Sequence, residues 1–156
     1  MRIRALLLLI AAPPLLSAQR TPFTYQDMLL LDRISGLSVD AAGSRALFNV
    51  RATDMEKNKG VSSLWLKDLN EPDTPERRLA VSDSGAYSAQ WTPHGSAIVF
   101  LSARGGTGSL QLWRTDSEGR TAERLTRLPL GIEAYRLTSD GTGAVVALSV
   151  FPSATE

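Results

Sequence analysis

The fold class of this chain is decided by the stretch WTPHGSAIVFLSARGGTGSLQLWRTDSEG, residues 91–119. The connector TPHG precedes its first apolar run, RGGTG separates the first run from the second, and SEGRT begins after the second run. Glycine adopts positive φ at little steric cost, so connectors of this composition form tight turns. With its flanking residues, the pattern predicts four short strands at about 87–91, 97–103, 109–115 and 123–126.

The same pattern occurs twice more in weaker form, as VDAAGSRALFNV from Val39 and LTSDGTGAVVALS from Leu137. Each copy has a turn glycine four residues after its first residue, and these glycines are Gly43, Gly95 and Gly141. They lie 52 and 46 residues apart. A second marker agrees, because Trp65 and Trp113 lie 48 residues apart and an aspartate follows each of them three positions later.

A four-stranded sheet that recurs about every 40 to 50 residues is typical of the blades of a β-propeller. We therefore predict an all-β fold, a partial β-propeller that occupies residues 37–151. It consists of two four-stranded blades and the start of a third. Residues 19–36 are predicted to form a linker and a short helix, and residues 152–156 a truncated end.

The short helix is predicted within TYQDMLLLDRISG, residues 24–36. Thr24 and Asp27 have the spacing of a reciprocal N-terminal cap, and a carboxylate is favourable near the positive end of a helix. The predicted apolar face consists of Met28, Leu29, Leu31 and Ile34. Such a face can bind a partner, but it more commonly packs on its own domain, and we favour packing.

Residues 1–18, MRIRALLLLIAAPPLLSA, have the three parts of a secretory signal peptide. Arg2 and Arg4 precede an apolar run, and a Pro-Pro pair and small residues end the segment. We predict cleavage after Ala18 and export to the periplasm or the exterior. An uncleaved anchor is the alternative, although the apolar run is shorter than the ~20 residues that span a bilayer.

Composition excludes several functional classes. The 17 basic and 16 acidic residues are mixed along the chain and give a net charge of +1, so no basic face predicts nucleic-acid binding. The chain has no cysteine, which excludes disulfides, thiolate metal sites and attachment of lipid to an N-terminal cysteine. The exported protein is therefore expected to be stabilised by packing alone, with no membrane contact after cleavage.

The sequence offers no catalytic constellation. It has no G-x-S-x-G pentapeptide, which a nucleophile elbow requires, and His94 is the only histidine. We interpret His94 as a solvated turn residue, and RGGTG, residues 104–108, as a hairpin bend because neither a helix nor Gly-Lys-Ser/Thr follows it. We expect no catalytic, cofactor-binding or metal-binding residue.

Two other groups of residues have a functional interpretation and a structural one. The acidic residues considered as metal ligands are scattered along the chain: Asp68, Asp73, Asp83 and Asp116. They do not form the dense oxygen-donor loop that calcium requires. Three tryptophans, Trp65, Trp91 and Trp113, could form an aromatic ligand patch. Because they recur with the repeats, we favour packing between the sheets of neighbouring blades.

Residues 91–113, 125–141 and 23–48 resemble the propeller repeats of the prolyl oligopeptidase family of serine peptidases, notably its secreted bacterial dipeptidyl-peptidase and acylaminoacyl-peptidase-like members. WTPHG and LTSDG are variants of the W-S-P-D-G motif of such repeats. The resemblance implies a seven- or eight-bladed propeller that caps a C-terminal α/β-hydrolase domain and gates access of short peptides to a Ser-Asp-His triad.

On this basis the chain is expected to be an N-terminal fragment or truncated reading frame without peptidase activity of its own. Its implied partners are the missing hydrolase domain and, in the full-length protein, peptide substrates. The paired glutamates that hold a substrate amino terminus in dipeptidyl-peptidases have no counterpart here. The alternative is a TolB-like periplasmic propeller that binds other proteins without catalysis.

Overall fold

The computed structural model describes residues 22–106 and 108–150. The predicted signal peptide and residues 152–156 lie outside this range. The described chain contains one α-helix, α1 (Tyr25–Leu30), and a 3₁₀ helix at Ala80–Ser84. Its strands are β1 (Arg33–Val39), β2 (Arg45–Asp54), β3 (Lys59–Asp68), β4 (Arg77–Arg78), β5 (Tyr87–Trp91), β6 (Ala97–Ser102), β7 (Gln111–Asp116), β8 (Ala122–Arg124), β9 (Ile132–Leu137) and β10 (Ala144–Leu148).

The strands form three antiparallel sheets whose strand order follows the chain. The first sheet is β1-β2-β3-β4, the second is β5-β6-β7-β8, and the third contains β9 and β10. Strands β5 to β8 coincide with the four predicted strands to within two residues at each end. This architecture confirms the predicted all-β class, with two four-stranded blades and the start of a third.

The three turn glycines occupy equivalent turns between the first two strands of their sheets. Their φ angles are 69°, 65° and 71° at Gly43, Gly95 and Gly141. Each donates its backbone N–H to the carbonyl three residues earlier, on Asp40, Thr92 and Thr138, at 3.0, 2.8 and 2.9 Å. The side-chain oxygen of that earlier residue also accepts a backbone N–H beyond the glycine. The repeat in the sequence is therefore a repeat of one turn geometry.

The core lies between the sheets. One apolar cluster joins Leu47, Leu64 and Leu66 of the first sheet to Ile98 and Phe100 of the second. A second cluster, between the second and third sheets, consists of Val99, Leu101, Leu112, Ile132 and Tyr135. Strand β6 supplies both clusters because its successive side chains point to opposite faces. All six of its residues are buried, as expected of a strand that is covered on both faces.

The tryptophan repeat is reproduced in the pairing register. Trp65 lies opposite Phe48, and Trp113 lies opposite Phe100. Trp91 and Trp113 pack in the cluster between the first and second sheets, as predicted. For Trp65, packing against a neighbouring blade stays a prediction. Its neighbours Leu64 and Leu66 point into that cluster, so the half-buried Trp65 lies on the opposite face of the first sheet.

The predicted helix is shorter than expected. The reciprocal cap between Thr24 and Asp27 is present, but α1 ends at Leu30 and β1 begins at Arg33. The reason is that Ile34 pairs with Val50 of β2, which provides ladder hydrogen bonds instead of helical ones.

Most of the predicted apolar face is left uncovered by the residues that the structure describes. Leu29 is half-buried, whereas Met28, Leu31 and Ile34 are exposed, so this part of the prediction was wrong. None of the helices in the described residues is long and apolar enough to cross a membrane.

Candidate functional site

A groove of about 580 Å³ lies between the second and third sheets. Its apolar part includes Leu112 and Leu125 on the side of the second sheet and Val146 on β10. His94 and Arg114 supply basic side chains at the same groove. The arrangement combines an apolar surface with a polar margin, and it lies beside a strand, β10, that pairs only with β9 in the described part of the chain.

His94 is exposed and lies in the turn between β5 and β6. Within residues 22–106 and 108–150 it has neither a hydrogen bond nor an ion pair, and Thr142 of the third sheet lines the same groove. A histidine that acts as a general base needs a nucleophile within hydrogen-bonding distance and a second group to orient its ring. The structure does not bring such groups to His94 within the described chain. That the chain carries no catalytic residue remains a prediction.

The RGGTG segment is a hairpin connection between β6 and β7, as the sequence predicts. Gly105, Gly106 and Gly108 have φ angles of 77°, 74° and 65°. The segment is fixed by Arg104, whose guanidinium lies 4.8 Å from the Phe100 ring centroid and 5.4 Å from that of Trp113. Arg104 also donates to the carbonyl oxygen of Gly85 at 3.1 Å, and its burial lowers its pKa. Arg104 therefore holds the loop against Gly85, in the segment that leads from the first sheet to β5.

The aspartates considered as metal ligands have local roles. Asp83 pairs with Arg78 at 2.6 Å. Asp68 accepts the backbone N–H of Asn70, and Asp116 accepts that of Glu118. Nowhere in the described ranges do three His, Cys, Asp or Glu side chains cluster closely enough to hold a metal ion.

A buried ionic contact joins the first two sheets, and sequence reasoning missed it. The Arg45 guanidinium pairs with Asp40 at 3.0 Å, donates to the Gly95 carbonyl at 3.1 Å, and lies 4.5 Å from the centroid of Trp91. Burial opposes ionisation of Asp40 and is the largest single influence. The hydrogen bonds from Arg45 and Ser44 together outweigh it and lower the pKa of Asp40 to about 2. Arg45 thus connects residues about fifty positions apart in the sequence.

Two buried polar side chains hold the third sheet to the second. Gln111, on β7, donates to the carbonyl oxygens of Leu128 and Leu130 at 3.1 and 3.2 Å, and accepts the N–H of Leu128. The Tyr135 hydroxyl, on β9, contacts the carbonyl oxygens of Ser88 and Val99 at 2.8 and 2.6 Å. Burial of this hydroxyl raises its pKa. These contacts fix the linker between the sheets and orient β9.

Two curated relatives are peptidases. Dipeptidyl-peptidase 5 of Porphyromonas endodontalis is 25% identical over 134 residues, which cover 86% of this chain and 19% of the relative. The uncharacterized peptidase YuxL of Bacillus subtilis is 25% identical over 108 residues, 69% of this chain and 16% of the relative. The chain thus spans less than one fifth of the length of the relatives that it matches. No protein-family model matches it.

Solved structures with a similar fold include peptidases and a TolB-type protein. The acylaminoacyl peptidase of Pyrococcus horikoshii has a TM-score of 0.61 at 14% identity, over 76% of this chain and 17% of that one. The β-propeller domain of the trilobed protease from Pyrococcus furiosus has a TM-score of 0.55 at 14% identity, over 74% of this chain and 33% of that one. TolB from Agrobacterium tumefaciens has a TM-score of 0.56 at 22% identity, over 75% of this chain and 38% of that one.

These structural likenesses show the fold, which is that of β-propeller sheets. The two sequence relatives are both named as peptidases. These findings agree with the predicted resemblance: the chain is similar in sequence to two peptidases and in fold to the β-propeller domain of a protease.

Proposed function

We propose that this chain is the substrate-gating propeller segment of an exported serine peptidase that hydrolyses short peptides. The observation that carries the proposal is the similarity to dipeptidyl-peptidase 5, which extends over 86% of the chain. The stacked sheets agree with a propeller position in such an enzyme. The proposed substrates, peptides with few residues, are those that a narrow entrance admits.

Catalysis is assigned to another domain of the same polypeptide. The chain has no G-x-S-x-G motif, and the exposed His94 has no partner in the described residues. A Ser-His-Asp triad requires a nucleophile, a base and an orienting acid in contact. We therefore propose an α/β-hydrolase domain as the partner of this propeller segment. Export is proposed from the signal-peptide pattern of residues 1–18.

Gating requires that the sheets do not separate freely. Contacts such as the one between Arg45 and the Gly95 carbonyl join neighbouring sheets and oppose a gap between them. If such a gap opened, an extended chain could pass where only short peptides otherwise enter. Mutations that weaken the inter-sheet contact should therefore relax the length limit without altering the chemistry.

The experiment compares the isolated chain with the full-length polypeptide on a dipeptidyl chromogenic substrate and on a long quenched-fluorescent peptide. We expect hydrolysis by the full-length protein alone, inhibited by a serine-directed reagent. Arg45→Ala should raise the rate on the long peptide relative to the short one. Arg77→Ala is the matched control, because Arg77 forms an exposed inter-sheet ion pair with Glu118. Hydrolysis by the isolated chain, or an unchanged length preference in Arg45→Ala, contradicts the proposal.

A TolB-like binding propeller is the second candidate, favoured by the fold likeness to TolB from Agrobacterium tumefaciens. The two candidates differ in what the reading frame encodes beyond Glu156. A downstream G-x-S-x-G segment supports the peptidase. A frame with only further propeller repeats supports the binding protein.

A further inference from the structure

The first strands of the first and second sheets carry the same β-bulge. The pairing register shifts between residues 35 and 38 in β1 and between residues 87 and 90 in β5. Gly36 and Ser88, which begin these bulges, have φ angles of 62° and 50°. Each lies seven residues before the turn glycine of its sheet. The two bulges are therefore equivalent positions in the repeat, and a bulge leaves backbone groups outside the regular strand ladder.

At the interface between the second and third sheets, a tyrosine from the neighbouring sheet fills the space beside the bulge. The Tyr135 hydroxyl contacts the carbonyl oxygens of Ser88 and Val99 at 2.8 and 2.6 Å. The Tyr135 side chain packs in the apolar cluster between these sheets, and the residue is 7% exposed. A phenol group is thus the natural occupant of this space in one copy of the repeat.

At the interface between the first and second sheets, the same position is an alanine. Tyr135 lies six residues before Gly141, and Ala89 lies six residues before Gly95. Ala89 is 3% exposed and packs in the cluster between the first two sheets. A pocket of about 430 Å³ lies beside it, lined by residues 36–38 of β1 and 88–91 of β5. Both sheets have four strands, so this pocket corresponds to a missing side chain and not to a missing strand.

The groups around the pocket suit a neutral phenol. Its lining has no charged residue, and a phenol, whose pKa is about 10, is uncharged at pH 7. Gly36 and Leu47 provide the carbonyl groups that correspond to those of Ser88 and Val99.

Asn49 adds a polar atom beside the bulge of β1. It is 6% exposed, and its amide nitrogen donates to the Ala86 carbonyl at 2.9 Å. Its Oδ1 would lie 3.4 Å from a Cβ placed on Gly36, and within residues 22–106 and 108–150 this oxygen receives no hydrogen bond. A hydroxyl group that entered the pocket would therefore meet a further acceptor.

We propose that the pocket between β1 and β5 is a binding site for the phenol side chain of a tyrosine in a peptide. The ring occupies the volume that Ala89 leaves, and the hydroxyl donates to the Gly36 carbonyl or to Asn49 Oδ1. The exposed residues Leu37 and Ser88 leave the margin of the pocket open, so the peptide chain continues outside it. The site does not rest on the proposed function, because a peptide substrate and a peptide partner present the same side chain.

The first test measures ligand binding to the unmodified 156-residue chain by NMR titration. The probes are N-acetyl-tyrosinamide, N-acetyl-phenylalaninamide and p-cresol, and the signals are the amide resonances of residues 36–38 and 88–91. A site that hydrogen-bonds a hydroxyl group discriminates against an analogue without it. We therefore expect the tyrosine derivative to bind at least about tenfold more tightly than the phenylalanine derivative, and more tightly than p-cresol.

The second test fills the pocket from within the chain. Ala89→Tyr introduces the side chain that the next copy of the repeat carries, so it should not lower the melting temperature and should abolish binding of N-acetyl-tyrosinamide. Ala89→Phe should melt about 3 °C below Ala89→Tyr, because it lacks the hydroxyl contact. Ala86→Tyr is the matched control. Ala86 is 0% exposed in the same cluster and does not line the pocket, so overpacking should lower the melting temperature by about 5 °C or more.

Several outcomes overturn the proposal. Equal binding of the tyrosine and phenylalanine derivatives does so, as does the absence of a saturable shift at the pocket. A melting temperature that Ala89→Tyr lowers as much as Ala86→Tyr shows that no phenol fits beside β1. Binding of p-cresol as tight as that of N-acetyl-tyrosinamide assigns the site to a free phenol and overturns the assignment to a peptide. None of these measurements involves catalysis, so they are independent of the test of peptidase activity.

Discussion

Replacement of Arg45 by alanine should weaken the junction between the first two sheets more than any exposed ion pair does. Arg45 contacts three groups at once: the Asp40 carboxylate, the Gly95 carbonyl and the Trp91 ring. The Asp40 side chain is 2% exposed and that of Arg45 25%. Removal of the guanidinium therefore leaves a buried carboxylate without its cation.

The expected cost follows from these contacts. Loss of one partner from a buried ion pair costs about 3–5 kcal/mol, and a cation–π contact contributes about 1 kcal/mol. Asp40 retains the N–H groups of Ser44 and Arg45 and the Ser44 hydroxyl, which the alanine variant does not remove. We therefore expect the lower end, a loss of about 3 kcal/mol in the free energy of unfolding. For a chain of this size, the melting temperature should fall by about 10 °C.

Urea unfolding, followed by tryptophan fluorescence, measures this loss. The control is Arg77→Ala, which removes an inter-sheet ion pair whose side chains are 46% and 40% exposed. Exposed ion pairs contribute about 0–1 kcal/mol to stability, so the free energy of unfolding of this variant should remain close to that of the unmodified chain. Equal destabilisation by the two substitutions would refute the argument that burial determines the strength of the Arg45 contact.

The same contact predicts a dependence on pH. The pKa of Asp40 is lowered to about 2 in the folded chain, whereas the pKa of an aspartate in an unfolded chain is about 3.9. A lowered carboxyl pKa stabilises the fold above the unfolded value, and the stabilisation is lost as pH falls through the folded value. The difference in free energy of unfolding between the unmodified chain and Arg45→Ala should therefore be constant above about pH 5 and decrease toward pH 2. A difference that grows on acidification contradicts this assignment.

The remaining predictions concern single contacts and are measured by the same unfolding assay. Gly119→Ala should destabilise the chain by more than about 2 kcal/mol, because the added Cβ would lie 2.7 Å from Leu79 Cβ at a φ of 67°. Gly43 has a φ of 69°, and an added Cβ would have no atom within 4 Å, so Gly43→Ala should lower the free energy of unfolding by only about 1 kcal/mol. Equal losses in Gly119→Ala and Gly43→Ala would argue against steric overlap at Gly119. Tyr135→Phe removes the hydroxyl contact to the Val99 carbonyl and should cost about 1–2 kcal/mol, and a neutral result would contradict that role.

The sequence predicted the elements of the second sheet better than the N-terminal segment. Strands β5 to β8 were predictable because each is bounded by a turn whose glycine and polar residues act locally. The segment around Ile34 was misassigned as helical. Its apolar spacing is compatible with a helix, and only the pairing with Val50 in β2 makes it a strand. The local pattern of apolar residues does not indicate a pairing partner that lies sixteen residues away.

The sequence by itself determined the turn chemistry, the repeat of about fifty residues and the resulting all-β class. It did so because a turn depends on residues that are adjacent in the chain. The stacking of the sheets decided which face of the first sheet Trp65 occupies, how Arg45 meets Gly95, and how Tyr135 reaches the Ser88 carbonyl. These properties depend on burial between residues about fifty positions apart, which come into contact only when one sheet packs on the next.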